Sequence, residues 1–156
     1  MTLDEWLEVG VTVPIGSHHF SAEAIKAFAQ KYDPQTFHTD EHKAQESVLG
    51  GLCASGWHTA AAWMKCNIAT PINRDGRRWT GPCPEPEMGP SPGFTNMKWL
   101  KPVYAGETVS YTRRVVSHRT MASRPGWRLV SLHSQGFDSK GDKVIEFDSA
   151  VLVKVE

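Results

Sequence analysis

The 156-residue chain predicts an α+β fold in which an antiparallel sheet wraps around one long central helix. Three observations carry that expectation. Helical periodicity fills the first half of the chain, and strand-like runs fill the second. Residues 51–69, "GLCASGWHTAAAWMKCNIA", hold a single strongly charged residue, Lys65, and are otherwise apolar or small on every side, as a buried helix is. No internal repeat or low-complexity tract divides the chain, so residues 1–156 read as one domain, large enough to bury about two thirds of its unfolded surface.

The elements follow in order. "VTVPIG" is a short strand candidate. Ser21 offers an N-cap, Glu23 sits in the first turn where the helix dipole favours it, and Ile25, Phe28, Ala29 and Tyr32 recur at helical spacing. Pro34 ends that helix by pushing the residue before it out of the α region, which leaves Asp33 at a helix exit. Asp40 opens "DEHKAQES" as the expected N-cap of a further helix. The buried helix comes next. Residues 71–93 hold many of the prolines and glycines and form a long loop, a Pro/Gly-rich segment of about 70–93. "FTNMKWL", "ETVSYTRRVVSH", "WRLVSLHSQGF" and "KVIEFDSAVLVKV" are strands; in the last, Ile145, Phe147, Val151 and Val153 alternate onto one face. "ASRPG" and "DSKGD" turn between the last three.

Composition excludes several classes of function. Seventeen Lys and Arg balance seventeen Asp and Glu, so no electrostatic footprint marks nucleic acid or an anionic membrane as a partner. No apolar run approaches the roughly 20 residues of a membrane span, and the acidic "MTLDEWLEVG" is unlike a signal peptide, so a cytoplasmic protein is expected. Cys53, Cys66 and Cys83 are odd in number and lack C-x-x-C spacing, which argues against a disulfide framework or structural zinc. Cys53 and Cys66 lie in apolar sequence and suit a buried role. The alternation of His38, Asp40 and His42 is a poor metal set, because a helix starting at Asp40 splits their directions. No metal or cofactor is expected.

The chemistry concentrates in "KYDPQTFHTD", residues 31–40, where Asp33 and His38 lie five positions apart around Pro34. With "GGLCASGWHTAA" and "MKWLKPVYAGETV", this segment resembles the MaoC-like dehydratases, the hotdog-fold family that includes the (R)-specific enoyl-CoA hydratases. The resemblance runs over about residues 10–153. Asp33, His38 and Asp40 match the acidic, imidazole and second acidic places of the hydratase motif, with Tyr32 where glycine is usual and Pro34-Gln35 where asparagine-proline is usual.

The resemblance implies hydration or dehydration of a 2-enoyl thioester, with coenzyme A as part of an acyl-CoA substrate. Such a reaction needs a base for water, an acid for the α carbon and donors for an enolate-like oxygen. Asp33 as base and His38 as its acid partner or water-orienting group address the first two needs, and such proton transfers contribute ~10²–10⁴-fold. The expected oxyanion donors are backbone N–H groups at Gly51 and Leu52, taken as the start of the buried helix; the resemblance implies the Gly51 N–H. Thr59 falls near a place where these hydratases carry a pocket hydroxyl. His58, inside the apolar helix, is expected to be a hydrogen-bonded core histidine, and Trp57, Trp63, Trp99 and Trp127 to be core. A homodimer or larger homo-oligomer is expected. The alternatives are a hotdog acyl-CoA thioesterase and a non-catalytic acyl or small-ligand binding module.

Overall fold

The computed structural model describes residues 1–72 and 74–156. Its elements in chain order are α1 (Leu3–Leu7), β1 (Thr12–His19), α2 (Ala22–Tyr32), α3 (Thr36–Thr39), α4 (Glu41–Glu46), α5 (Gly56–Ala69), β2 (Glu87–Met88), β3 (Gly93–Trp99), β4 (Thr108–Thr120), β5 (Trp127–Phe137) and β6 (Lys143–Lys154). Every strand pairing is antiparallel, in the order β1-β4-β5-β6, and β2 and β3 lie one after the other along the free side of β6. The sheet curls over α5 as a half-barrel. This is the hotdog fold expected from the sequence, and the last four strands fall where alternation placed them.

Alternation explains why the concave face is apolar. Val109, Tyr111 and Val115 of β4 stand beside Val130 and Leu132 of β5, and beside Ile145, Phe147 and Val153 of β6; all are buried. Gly136 lies opposite both Tyr111 and Ile145 in the pleat, and a Cβ there would come within 2.8 Å of Ile145 Cγ2 and 2.9 Å of the Tyr111 ring. The glycine makes room for the tyrosine, whose hydroxyl donates to the Thr59 carbonyl of α5 at 2.8 Å.

Two apolar groups fill this face. One joins α5, through Ala62, Trp63 and Cys66, to Val109, Tyr111, Ile145 and Phe147. The other lies past the end of α5, where Trp6 and Leu7 of α1 and Ile72 cover Val115, Val130, Leu132 and Val153. Helix α1 opens on a capping box: Thr2 Oγ1 accepts from Glu5 N, and the Glu5 carboxylate accepts from Thr2 N. The Pro/Gly-rich segment is pinned to this end. Trp79 meets Trp6 edge-on, and Arg74 and Arg77 are ion-paired with Glu8.

The sequence expectation for α5 needs two corrections. The helix starts at Gly56, with Ser55 as its N-cap, so Gly51 and Leu52 precede it in extended chain. Cys53 there bridges to Tyr104, and Ala105 N donates to the Leu52 carbonyl. Nor is the helix sheathed on every side. Trp57, Met64 and Ile68 are 49%, 47% and 73% exposed, forming an apolar stripe whose first ring, Trp57, meets Phe94 and Trp99 of β3.

Candidate functional site

Helix α2 places Asp33. Ser21 caps the helix by accepting from Ala24 N, and Ile25 and Ala29 bury its inner face. Asp33 is the C-cap, with its backbone out of the helical region before Pro34, and its N–H still reaches the Ala29 carbonyl at 2.9 Å. Its side chain is thereby free to turn inward. Three residues on, the single turn α3 brings His38 back beneath it, with the imidazole buried. Helix α4 then leaves on its own cap, Asp40, which accepts from Lys43 N. Asp40 is structural, as expected.

The pair meets. His38 Nε2 lies 3.3 Å from Asp33 Oδ2. His38 Nδ1 is 2.6 Å from the Cys53 carbonyl oxygen. A carbonyl only accepts, so Nδ1 carries a hydrogen in this bond, and Nε2 is the nitrogen that gains or loses a proton opposite the carboxylate. The Asp33 carboxylate is held at both ends: Gln35 Nε2 donates to Oδ1 at 2.7 Å, and Ser55 Oγ donates to Oδ2 at 2.7 Å. Burial works to raise the Asp33 pKa, but the bonds from Gln35 and Ser55 and the nearby imidazole outweigh it, leaving the carboxyl below its ordinary range.

A cavity of about 360 Å³ opens on this pair. Asp33, Gln35 and His38 form one wall, and Leu49, Cys53, Ala54, Gly56, Trp57 and Thr59 continue it. Trp99 through Val103, with Val144, form the other side. Trp57 and Trp99, expected in the core, meet edge-on at 5.1 Å at this boundary, and each is about half exposed. Among the described residues, none between Thr59 and Trp99 lines the cavity, so the described part of the Pro/Gly-rich segment is not its wall. Cys53 sits 3.7 Å from His38 Nδ1; burial, with the Asp33 charge behind it, pushes its thiol up to about 11, so it is an inert neighbour.

The other expected site residues divide. Thr59 lines the cavity, although its hydroxyl donates to the Gly56 carbonyl. Gly51 and Leu52 lie outside the cavity lining and, because the helix begins at Gly56, outside the reach of its dipole. Their N–H groups find no acceptor among the described residues. Gly56 N, in the first turn of α5 and in the cavity wall, is likewise unpaired there. Sequence reading passed over Ser55. Its signal was a serine immediately before a helical run, which marks a cap but says nothing of a partner 22 residues upstream.

His58 also differs from expectation. Its ring stacks on Phe28 with centroids 4.6 Å apart and meets Phe20 edge-on at 4.9 Å, but Nδ1 has no hydrogen-bond partner among the described residues.

Residues 8–126 match the MaoC like domain. The chain belongs to the MaoC-like family. It is 31% identical to a MaoC-like dehydratase from Rhodospirillum rubrum of known structure, covering 100% of this chain and 98% of that one with a TM-score of 0.81. An (R)-hydratase from A. caviae involved in PHA biosynthesis shares the hotdog fold at 19% identity, with a TM-score of 0.67 over 96% of this chain and 98% of that one. Uncharacterized protein YdeM of Bacillus subtilis (strain 168) is 28% identical over 99% of both chains. This MaoC-like chain is thus placed among hydratases and dehydratases, and none of its helices is long and apolar enough to cross a membrane.

Proposed function

We propose that this MaoC-like protein reversibly hydrates a 2-enoyl thioester, with acyl-CoA as substrate, using Asp33 and His38. The observation that carries the reading is the buried 3.3 Å approach of Asp33 Oδ2 to His38 Nε2 at the cavity wall. A water in the cavity beside the pair lies within reach of both a base and an acid. Its proton passes to Asp33 as its oxygen bonds to the β carbon. The alkene electrons move through the thioester carbonyl to its oxygen, and the Nε2 proton of a charged His38 then closes the α carbon. Transfer of a proton from Asp33 back to His38 resets the pair, and the net change is the addition of one water. The same steps in reverse eliminate it.

The developing oxyanion needs donors that gain no competing partner. The Gly51 N–H, which family resemblance implies, lies outside the cavity lining and serves only where the thioester carbonyl extends past it. Gly56 N–H, at the positive end of the α5 dipole, adds a second from the cavity wall. Thr59 shapes the acyl side of the cavity. No metal or redox group has a part in these steps.

We further propose a cytoplasmic homodimer. The Trp57, Met64 and Ile68 stripe of α5 and the outer edge of β3, with Phe94 51% exposed, leave apolar surface and unpaired strand groups that a second copy covers.

Crotonyl-CoA tests the chemistry. Loss of the conjugated-thioester absorbance without release of free thiol is the expected result. Release of thiol identifies a thioesterase instead, and no change with any enoyl-CoA refutes catalysis of this kind. Asp33→Asn and His38→Gln each lower turnover by ~10²–10⁴-fold, the contribution of a lost proton-transfer group. Near-full turnover in either variant overturns the role assigned to it.

A further inference from the structure

Ser55 stands apart from the other contacts of Asp33. It is completely buried, and it comes from the start of α5 rather than from the α2–α3 turn. Its one hydroxyl is used twice: it donates to Asp33 Oδ2 at 2.7 Å and accepts from Trp57 N at 3.3 Å. Gln35, the second donor to the carboxylate, is only two residues away and exposed, so it moves with the turn that carries Asp33. Ser55 is the contact that ties the carboxylate to the central helix.

We propose that Ser55 is a positioning residue for the hydration, clamping Asp33 Oδ2 so that the carboxylate holds one orientation toward His38 Nε2 and toward the water beside the pair. The inference rests on the hydratase reading above. A carboxylate has about four acceptor directions, and Ser55 and Gln35 occupy one on each oxygen, leaving one on each for the water and the imidazole. Without Ser55, rotation about the Asp33 Cβ–Cγ bond is limited by an exposed glutamine and the 3.3 Å imidazole contact, and the anion loses a buried donor. Ser55 does not line the cavity, so its removal alters no contact with the acyl group.

The difficulty in testing this is that Ser55 also caps α5. Two variants separate the roles, because glycine is nearly as good an N-cap as serine and alanine is a poor one, while both lack the hydroxyl. If Ser55 positions Asp33, Ser55→Ala and Ser55→Gly lower kcat alike, by ~10–100-fold, the scale of a small misplacement of a reacting group, with KM little changed. Both also move the acid limb of the kcat/KM profile to higher pH, because the carboxylate is easier to protonate. If activity instead follows helix stability, with alanine worse than glycine and the acid limb unmoved, Ser55 is only a cap and the proposal is wrong.

A second measurement does not depend on turnover. Carbon-13 titration of the Asp33 carboxyl in the unliganded protein shifts upward in both variants if the clamp exists, and an unchanged titration refutes it. Should the wild-type protein hydrate no enoyl thioester, the hydratase reading falls while the titration still decides whether Ser55 holds the carboxylate.

Discussion

His58 makes this fold sensitive to mild acid, and the effect has a sign and a size. The ring lies between Phe28, Phe20 and the core, only 8% exposed, with no partner for Nδ1 among the described residues. Burial, aided by His18 at 6.0 Å, pulls its pKa from 6.5 down to about 4. The folded-state value is depressed, so between pH 6.5 and about 4 the unfolded chain binds more protons than the folded one. Stability from this group is therefore present above pH 6.5 and is lost as pH falls toward 4. At about 1.4 kcal/mol per tenfold change in proton affinity, the loss is about 3 kcal/mol by pH 4, a large share of the 5–15 kcal/mol typical of a domain. Carboxylates contribute to acid unfolding too, so the quantity to read is a difference between proteins. His58→Phe keeps an aromatic ring against Phe28 and cannot charge. Urea unfolding from pH 7.5 to 4 should give similar midpoints for the two proteins at the top of the range, and a progressive advantage for the variant below pH 6.5. Parallel curves across the whole range would refute the assignment of a neutral, proton-averse His58.

Two further substitutions probe the sheet and the outer helix face. Gly136→Ala drives a Cβ to within 2.8 Å of Ile145 and 2.9 Å of the Tyr111 ring, so thermal unfolding should show a loss of ~1–3 kcal/mol from overpacking; an unchanged midpoint would mean that the sheet opens there freely. Met64→Glu with Ile68→Glu places two charges on the exposed stripe of α5, and sedimentation should show the variant as a monomer where the wild type is a dimer; a wild-type monomer, or a variant that still dimerises, removes this face from the interface.

Strands were the most legible part of the chain because a half-buried sheet repeats its demand every second residue. Ile145, Phe147, Val151 and Val153 announce β6 whatever lies elsewhere. The start of α5 was not legible, because residues 51–69 are apolar or small throughout and no change of period marks where extended chain becomes helix. Ser55 was the available boundary signal, and composition hid it. Helix α1 was missed for a different reason: its five residues are too few for periodicity, although Thr2 and Glu5 spell a capping box. Trp57 and Trp99 defeated a reading by type, since large aromatic rings suit a core and a cavity rim equally well. Asp33 and His38 were legible because a helix exit, a proline and one short turn determine their separation locally. Ser55's bond to Asp33 spans 22 residues and depends on how α2 packs on α5, which no local pattern encodes.

That long-range bond bears on which member of the pair is the base. Two effects oppose each other at Asp33. Removal from water favours the neutral acid, and hydrogen bonds to the carboxylate favour the anion. Bonds to a charged group contribute about 1.5–3 kcal/mol each, so two of them, with a nearby imidazole, overcome the desolvation of a side chain that keeps 17% of its exposure. Asp33 thus enters the reaction as an anion. At His38 the Cys53 carbonyl fixes the hydrogen on Nδ1, so the only variable proton is the one on Nε2, facing that anion. In the proposed hydration, an anion beside a nitrogen that can carry a proton defines a direction: the carboxylate would take from water, and the ring would deliver to carbon. A thioesterase needs a directed water as well, but only hydration needs a proton delivered to carbon, and under the proposed reading the buried, tautomer-fixed His38 is the group that favours hydration.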